Sequence, residues 1–254
     1  MRIPDHRILL GKLFNDNEIK KQIIEESICK ISKHVLLHKI LEDTWNEKIN
    51  NHTLDVPNIY FVPHWVINGF SHQTHKLIRK FTRIFNGDPE IADINGYYDK
   101  ETNSIFISIK NLDIHATFTH EVLHYVSVNK KNSIRITGFK SNSSWDAFDE
   151  VCTDYFSNYI FMDGVLNSSG MYRGPYVQLN ELINLVGIDV FFKWYLYGKN
   201  QNIVHLFTNL GKMDEATLLY SFDEYMDSHD PKIIADLQLA VNKISKGYKK
   251  EMEA

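Results

Sequence analysis

The spacing of apolar residues changes rhythm along this chain of 254 residues. Between residues 18 and 47, Ile19, Ile23, Ile24, Ile28, Ile31, Val35, Leu36 and Ile40 recur close to the helical period, which predicts one or two amphipathic helices. Pro57 and Pro63 then bracket Asn58-Ile-Tyr-Phe-Val62, a run short enough to be a strand. Residues 66–85 return to helical spacing until Asn86-Gly-Asp-Pro89, whose glycine and proline favour a turn. Next the period drops to two. Gly96-Tyr-Tyr-Asp99 and Ser104-Ile-Phe-Ile-Ser-Ile109 flank a polar Lys100-Glu-Thr-Asn103, with Ile105, Ile107 and Ile109 on one face, so a hairpin is expected. From Asp113 onward the helical period governs, over about 113–129, 145–162, 176–197, 202–210, 214–227 and 231–247.

Strands followed by a helical majority predict an α+β fold: a small antiparallel or mixed sheet with an edge hairpin in an upper lobe, and a mostly helical lower lobe. The expected organisation is one unit over 1–254. Within it, 1–55 form an N-terminal helical segment, 56–130 the sheet lobe and the helix after it, and 131–254 a helical lobe. Composition agrees with a packed core, since 43% of residues are apolar and 24% charged. A net charge of -4 gives no basic footprint, so no nucleic-acid partner is expected. Cys29 and Cys152 are too few for a disulfide framework and suit a reducing compartment. Met1-Arg-Ile-Pro-Asp-His6 opens no signal peptide, and no run reaches the roughly 18 apolar residues needed to span a bilayer. The expectation is a cytoplasmic protein, and export without a cleaved signal is compatible with the same residues.

Chemistry enters at His120-Glu121-Val122-Leu123-His124, which has the form H-E-x-x-H. On a helix, residues four apart lie about 40° apart around the axis, so both imidazoles can reach one metal ion. Asp113 can cap that helix, and Ile114, Phe118, Val122, Tyr125 and Val126 form an apolar stripe nearly opposite the histidines. The imidazoles are therefore expected to face a cleft. A catalytic zinc takes three protein ligands and keeps a position for water, so a third ligand must come from elsewhere. Ser127 and Lys130 stand where the longer H-E-x-x-H-x-x-G-x-x-H pattern needs Gly and His. In Asp149-Glu150-Val-Cys-Thr153-Asp154-Tyr155, Glu150 and Asp154 share a helix face, where one can ligate while the other orients. Ser143 and Ser144 are candidate caps for this second helix, and Phe148, Val151, Tyr155 and Phe156 give it an apolar side. Cys152, about 200° from Glu150, should point away from the metal.

The pairing of H-E-x-x-H at 120–124 with E-x-x-x-D at 150–154 resembles the gluzincin, or thermolysin-like, zinc metallopeptidases. That resemblance implies a zincin-like fold and one Zn2+ per chain on His120, His124 and Glu150. It also implies that Asp154 accepts a hydrogen bond from His120, that the hairpin of 96–109 can pair with an extended peptide, and that the substrate is a protein or peptide. The expected chemistry is hydrolysis by a zinc-activated water with Glu121 as general base. An oxyanion donor is also required. Tyr172 and Tyr176, in Gly170-Met-Tyr-Arg-Gly-Pro-Tyr176, are the best placed, with His205 and Tyr155 behind them. Two alternatives stand beside this reading: a binding or regulatory protein that retains the metal without turnover, and a hydrolase of a non-peptide amide or ester. Structural zinc has four protein ligands, often thiolates, so an intact Glu121 speaks against the first. The pairs His34/His38 and His72/His75 lack a neighbouring Glu and read as surface residues.

Overall fold

Two prolines and a period-two hairpin place three short strands around one apolar layer. The computed structural model describes residues 17–29, 35–62, 95–108, 114–131, 134–139, 145–161, 173–228 and 230–253. Helices α1 (Asn17–Cys29) and α2 (Val35–Asn50) precede strand β1 (Asn58–Val62), and β2 (Gly96–Asp99) and β3 (Ser104–Ser108) form the hairpin. The sheet is mixed, in the order β1-β3-β2: β1 runs parallel to β3 from Asn58↔Ser104 to Val62↔Ser108, and β2 antiparallel from Gly96↔Ile107 to Asp99↔Ser104. The turn is fixed by local polar chemistry. Asp99 accepts the Glu101 amide (3.0 Å) and the Thr102 hydroxyl (2.7 Å), and Asn103 adopts φ 49°. Central strand β3 is buried at all five positions.

Helix α3 (Ile114–Val126) lies across β2 and β3, with Phe118, Val122, Tyr125 and Val126 buried as the expected stripe. A hairpin of β4 (Asn129–Lys131) and β5 (Ile134–Ile136) follows, and then α4 (Asp146–Phe161), packed on α3. Spacing extends α3 to about 129, but it ends at Val126, and β4 occupies the last of those positions. The single helix expected over 176–197 is two, α5 (Arg173–Val186) and α6 (Ile188–Leu196), because Gly187 at φ 98° interrupts the helical backbone. Helix α7 (Asn200–His205) continues into a π-helical segment, Leu206–Gly211, before α8 (Glu215–Ser228) and α9 (Pro231–Glu253).

One hydrophobic cluster runs from Ile24 in α1 to Ile244 in α9. The N-terminal helices belong to it: α1 packs on α3, and α2 packs on both α3 and α6. The α+β class, mostly helical with a small mixed sheet, matches the expectation. Among the described residues, no helix is long and apolar enough to cross a membrane. The helix expected at 66–85, the turn at 86–89, His34, His72 and His75 lie outside the described residues.

Candidate metal centre

Helical spacing brings the two motif imidazoles together. His120 and His124, one turn apart on α3, hold their Nε2 atoms 3.2 Å from each other. Helix α4, packed against α3, supplies Glu150, whose Oε2 lies 3.4 Å from each Nε2. An ion with ligand bonds of about 2.0–2.2 Å and tetrahedral angles sets its donor atoms about 3.3–3.6 Å apart. Edges of 3.2, 3.4 and 3.4 Å approximate one face of such a tetrahedron. Two imidazoles and a carboxylate form a donor set that could hold a divalent metal ion, and among the described residues no further His, Cys, Asp or Glu joins the group.

Behind each imidazole stands a different carboxylate. Asp154 Oδ1 is 3.9 Å from His120 Nδ1, an ion-pair distance rather than a hydrogen bond. Asp149 Oδ2 is 3.6 Å from His124 Nδ1. Because Asp149 and Glu150 are consecutive on a helix, they point about 100° apart, and each meets His124 from its own side. Asp149 is fully buried and is held by its surroundings: the Phe139 amide donates to Oδ1 at 2.8 Å. Gly138 makes that approach possible. It adopts φ 45°, and a Cβ there would lie 2.0 Å from Asp149 Oδ1. No motif in the sequence gives Asp149 a role. The available signal was a carboxylate on the helix face of Trp145, Cys152 and Phe156, all of them buried.

Glu121 is buried beneath the hairpin. The backbone N–H of Tyr98 on β2 donates to its carboxylate. Gly96 leaves the space, since a Cβ there would come within 3.1 Å of Glu121 Oε1 and 2.4 Å of Thr117 Cγ2. Burial raises the Glu121 pKa, opposed chiefly by the two imidazoles. For His120, burial favours the neutral ring, but the hydrogen bond to Glu150 and the charges of Glu121, Glu150 and Asp154 outweigh it and lift the pKa to about 9. His124 is raised for similar reasons: against burial, Glu150 leads. Glu150 is held well below the carboxylate range, where the imidazoles overcome its burial. A divalent ion binding here competes with those imidazole protons.

The oxyanion candidates fall in different places. Tyr176 donates its hydroxyl hydrogen to Asp154 Oδ2 and accepts one from Asn158 Nδ2 at 3.2 Å, which places it behind His120. Tyr172 lies outside the described residues. Tyr155 is buried and donates to Asn180 (2.9 Å), and exposed His205 pairs with Asn209 (2.8 Å). Cys152 is buried, and its thiol pKa is pushed up by burial and by Asp149.

No protein-family model matches the chain, and no curated protein or solved structure matches it. The resemblance to gluzincins rests on the two sequence motifs, and the structure adds a His120, His124 and Glu150 cluster that could hold a metal ion.

Proposed function

We propose that the chain is a zinc-dependent hydrolase with a zincin-like arrangement, and specifically a metallopeptidase. The observation that carries this reading is the triangle of His120 Nε2, His124 Nε2 and Glu150 Oε2, with edges of 3.2–3.4 Å, beside a buried Glu121. A zinc ion held there would acidify water and polarise a carbonyl. Glu121 then accepts the proton and returns it to the leaving amine. Its raised pKa suits both steps, because a base that must also act as acid works best near the operating pH. The Tyr98 amide faces the carboxylate, and Asp149 and Asp154, at 3.6 and 3.9 Å from the Nδ1 atoms, would orient the imidazoles once a metal is bound. Tyr172 is the remaining candidate for the oxyanion, because Tyr176 is engaged by Asp154. The choice of a peptide substrate follows the gluzincin resemblance, with the β2 and β3 hairpin above the site.

Glu121→Gln tests the reading. Wild type and variant are each expected to bind about one zinc per chain, and only the wild type to cleave a denatured-protein substrate. Equal cleavage by the two removes Glu121 from its role.

A further inference from the structure

Helix ends leave carbonyls that need partners from outside the helix. At the end of α3 every one of the last four is met. The Ser127 amide donates to Leu123 O (2.9 Å), the Ser127 hydroxyl to His124 O (2.9 Å) and the Val128 amide to Tyr125 O (3.2 Å). The last, Val126 O, receives Lys48 Nζ at 2.8 Å. The same Nζ donates to Val128 O at 2.9 Å and to Leu196 O at 2.8 Å. Leu196 ends α6, whose preceding carbonyls are met by Tyr197, Lys199 and Gly198. One buried side chain from α2 thus reaches the carboxyl ends of two helices, sharing Leu196 O with Asn129 Nδ2 at 3.2 Å.

Three acceptors call for three N–H donors, which the ammonium form supplies and a neutral amine does not. Two helix C-termini also converge on that single positive charge, an arrangement their dipoles favour. Burial pushes the Lys48 pKa down to about 7, with Glu47 opposing. The clamp reaches both ligand helices. It grips α3 directly, two residues beyond His124. It reaches α4 through α6, because Tyr195 OH and Thr153 Oγ1 share a buried hydrogen bond of 2.7 Å, and Thr153 is three residues from Glu150.

Building on the metal reading above, we infer that Lys48 is a positioning residue of the metal centre: its ammonium fixes α3 against α6, and through α6 sets where the histidine pair meets Glu150. The test is a Co2+ titration of the full chain followed by visible absorption, which reports occupancy and coordination geometry, after circular dichroism has shown each variant folded. Lys48→Met keeps an unbranched side chain as far as Cε and removes the charge and donors. It is expected to weaken Co2+ binding at least tenfold and to alter the ligand-field spectrum, and Lys48→Arg is expected to recover part of both. Should Lys48→Met fail to fold, Tyr195→Phe interrogates the same path and is expected to weaken binding severalfold. Wild-type affinity and spectrum in Lys48→Met overturn the inference and leave the metal centre standing. So does an Arg variant no better than Met, or, where Met fails to fold, an unchanged Tyr195→Phe. A wild-type chain that binds no Co2+ overturns the metal reading, and this inference with it.

Discussion

The two imidazoles of the candidate centre come from one helix but are held by different kinds of surroundings. His124 and its partner Asp149 are interior, with side-chain exposures of 10% and 1%. Asp149 is clasped by the Phe139 amide, and the turn at Gly138 closes over it. His120 and Asp154 are nearer solvent, at 20% and 29%, and Asp154 is met by the Tyr176 hydroxyl. Neither carboxylate is within hydrogen-bond distance of its imidazole. The interior pair is therefore expected to keep its place, and the outer pair to close on a metal ion by moving side chains alone. On that expectation one side of the site is a fixed template and the other adapts.

The largest effect that sharpens this contrast is expected from Asp149→Ala. It leaves the Phe139 amide without its acceptor in the core, at a cost of about 2–3 kcal/mol in unfolding free energy. It should also weaken metal binding about 10–100-fold. Denaturant unfolding and a zinc titration measure the two. Asp154→Ala is expected to cost about 1 kcal/mol or less in stability, with roughly a tenfold loss of zinc affinity. Equal destabilisation by the two substitutions would erase the distinction between template and adapting side.

The smallest effect concerns pH, because the imidazoles and Lys48 oppose each other. With a chelator present, His120 has a folded pKa of about 9 against an ordinary 6.5, so its stabilisation is complete below about 6.5 and is lost as pH rises through 9. Lys48 runs the other way. Its folded pKa of about 7 lies below the ordinary 10.5, so the unfolded chain binds more protons and stability rises with pH between those values. His124, whose pKa is raised as well, adds to the His120 side. The melting temperature of His120→Asn, which keeps the Lys48 contribution, should gain on that of the wild type between pH 7 and 9. Parallel curves contradict the raised His120 pKa.

What the sequence makes legible here is whatever has a local period. The i, i+4 spacing of His120 and His124, and of Glu150 and Asp154, survives intact in the structure, as does the hairpin from its alternating isoleucines. The break at Gly187 carries only a glycine as its mark, and β4 and β5 are too short to show alternation against the helical period beside them. Asp149 and Lys48 lay beyond reach for another reason. The partners of Lys48 are 78, 80 and 148 residues away, and Asp149 meets His124 only when α3 packs on α4. Which residues could ligate is local information, and what stands behind them is not.

X-ray absorption at the zinc edge of the loaded wild-type chain reads the donor set itself. Expected is about one ion per chain, bound by two imidazole nitrogens and carboxylate or solvent oxygen at about 2.0–2.2 Å, with that spectrum lost in Glu150→Ala. A sulfur neighbour, or a spectrum that Glu150→Ala leaves unchanged, would contradict it.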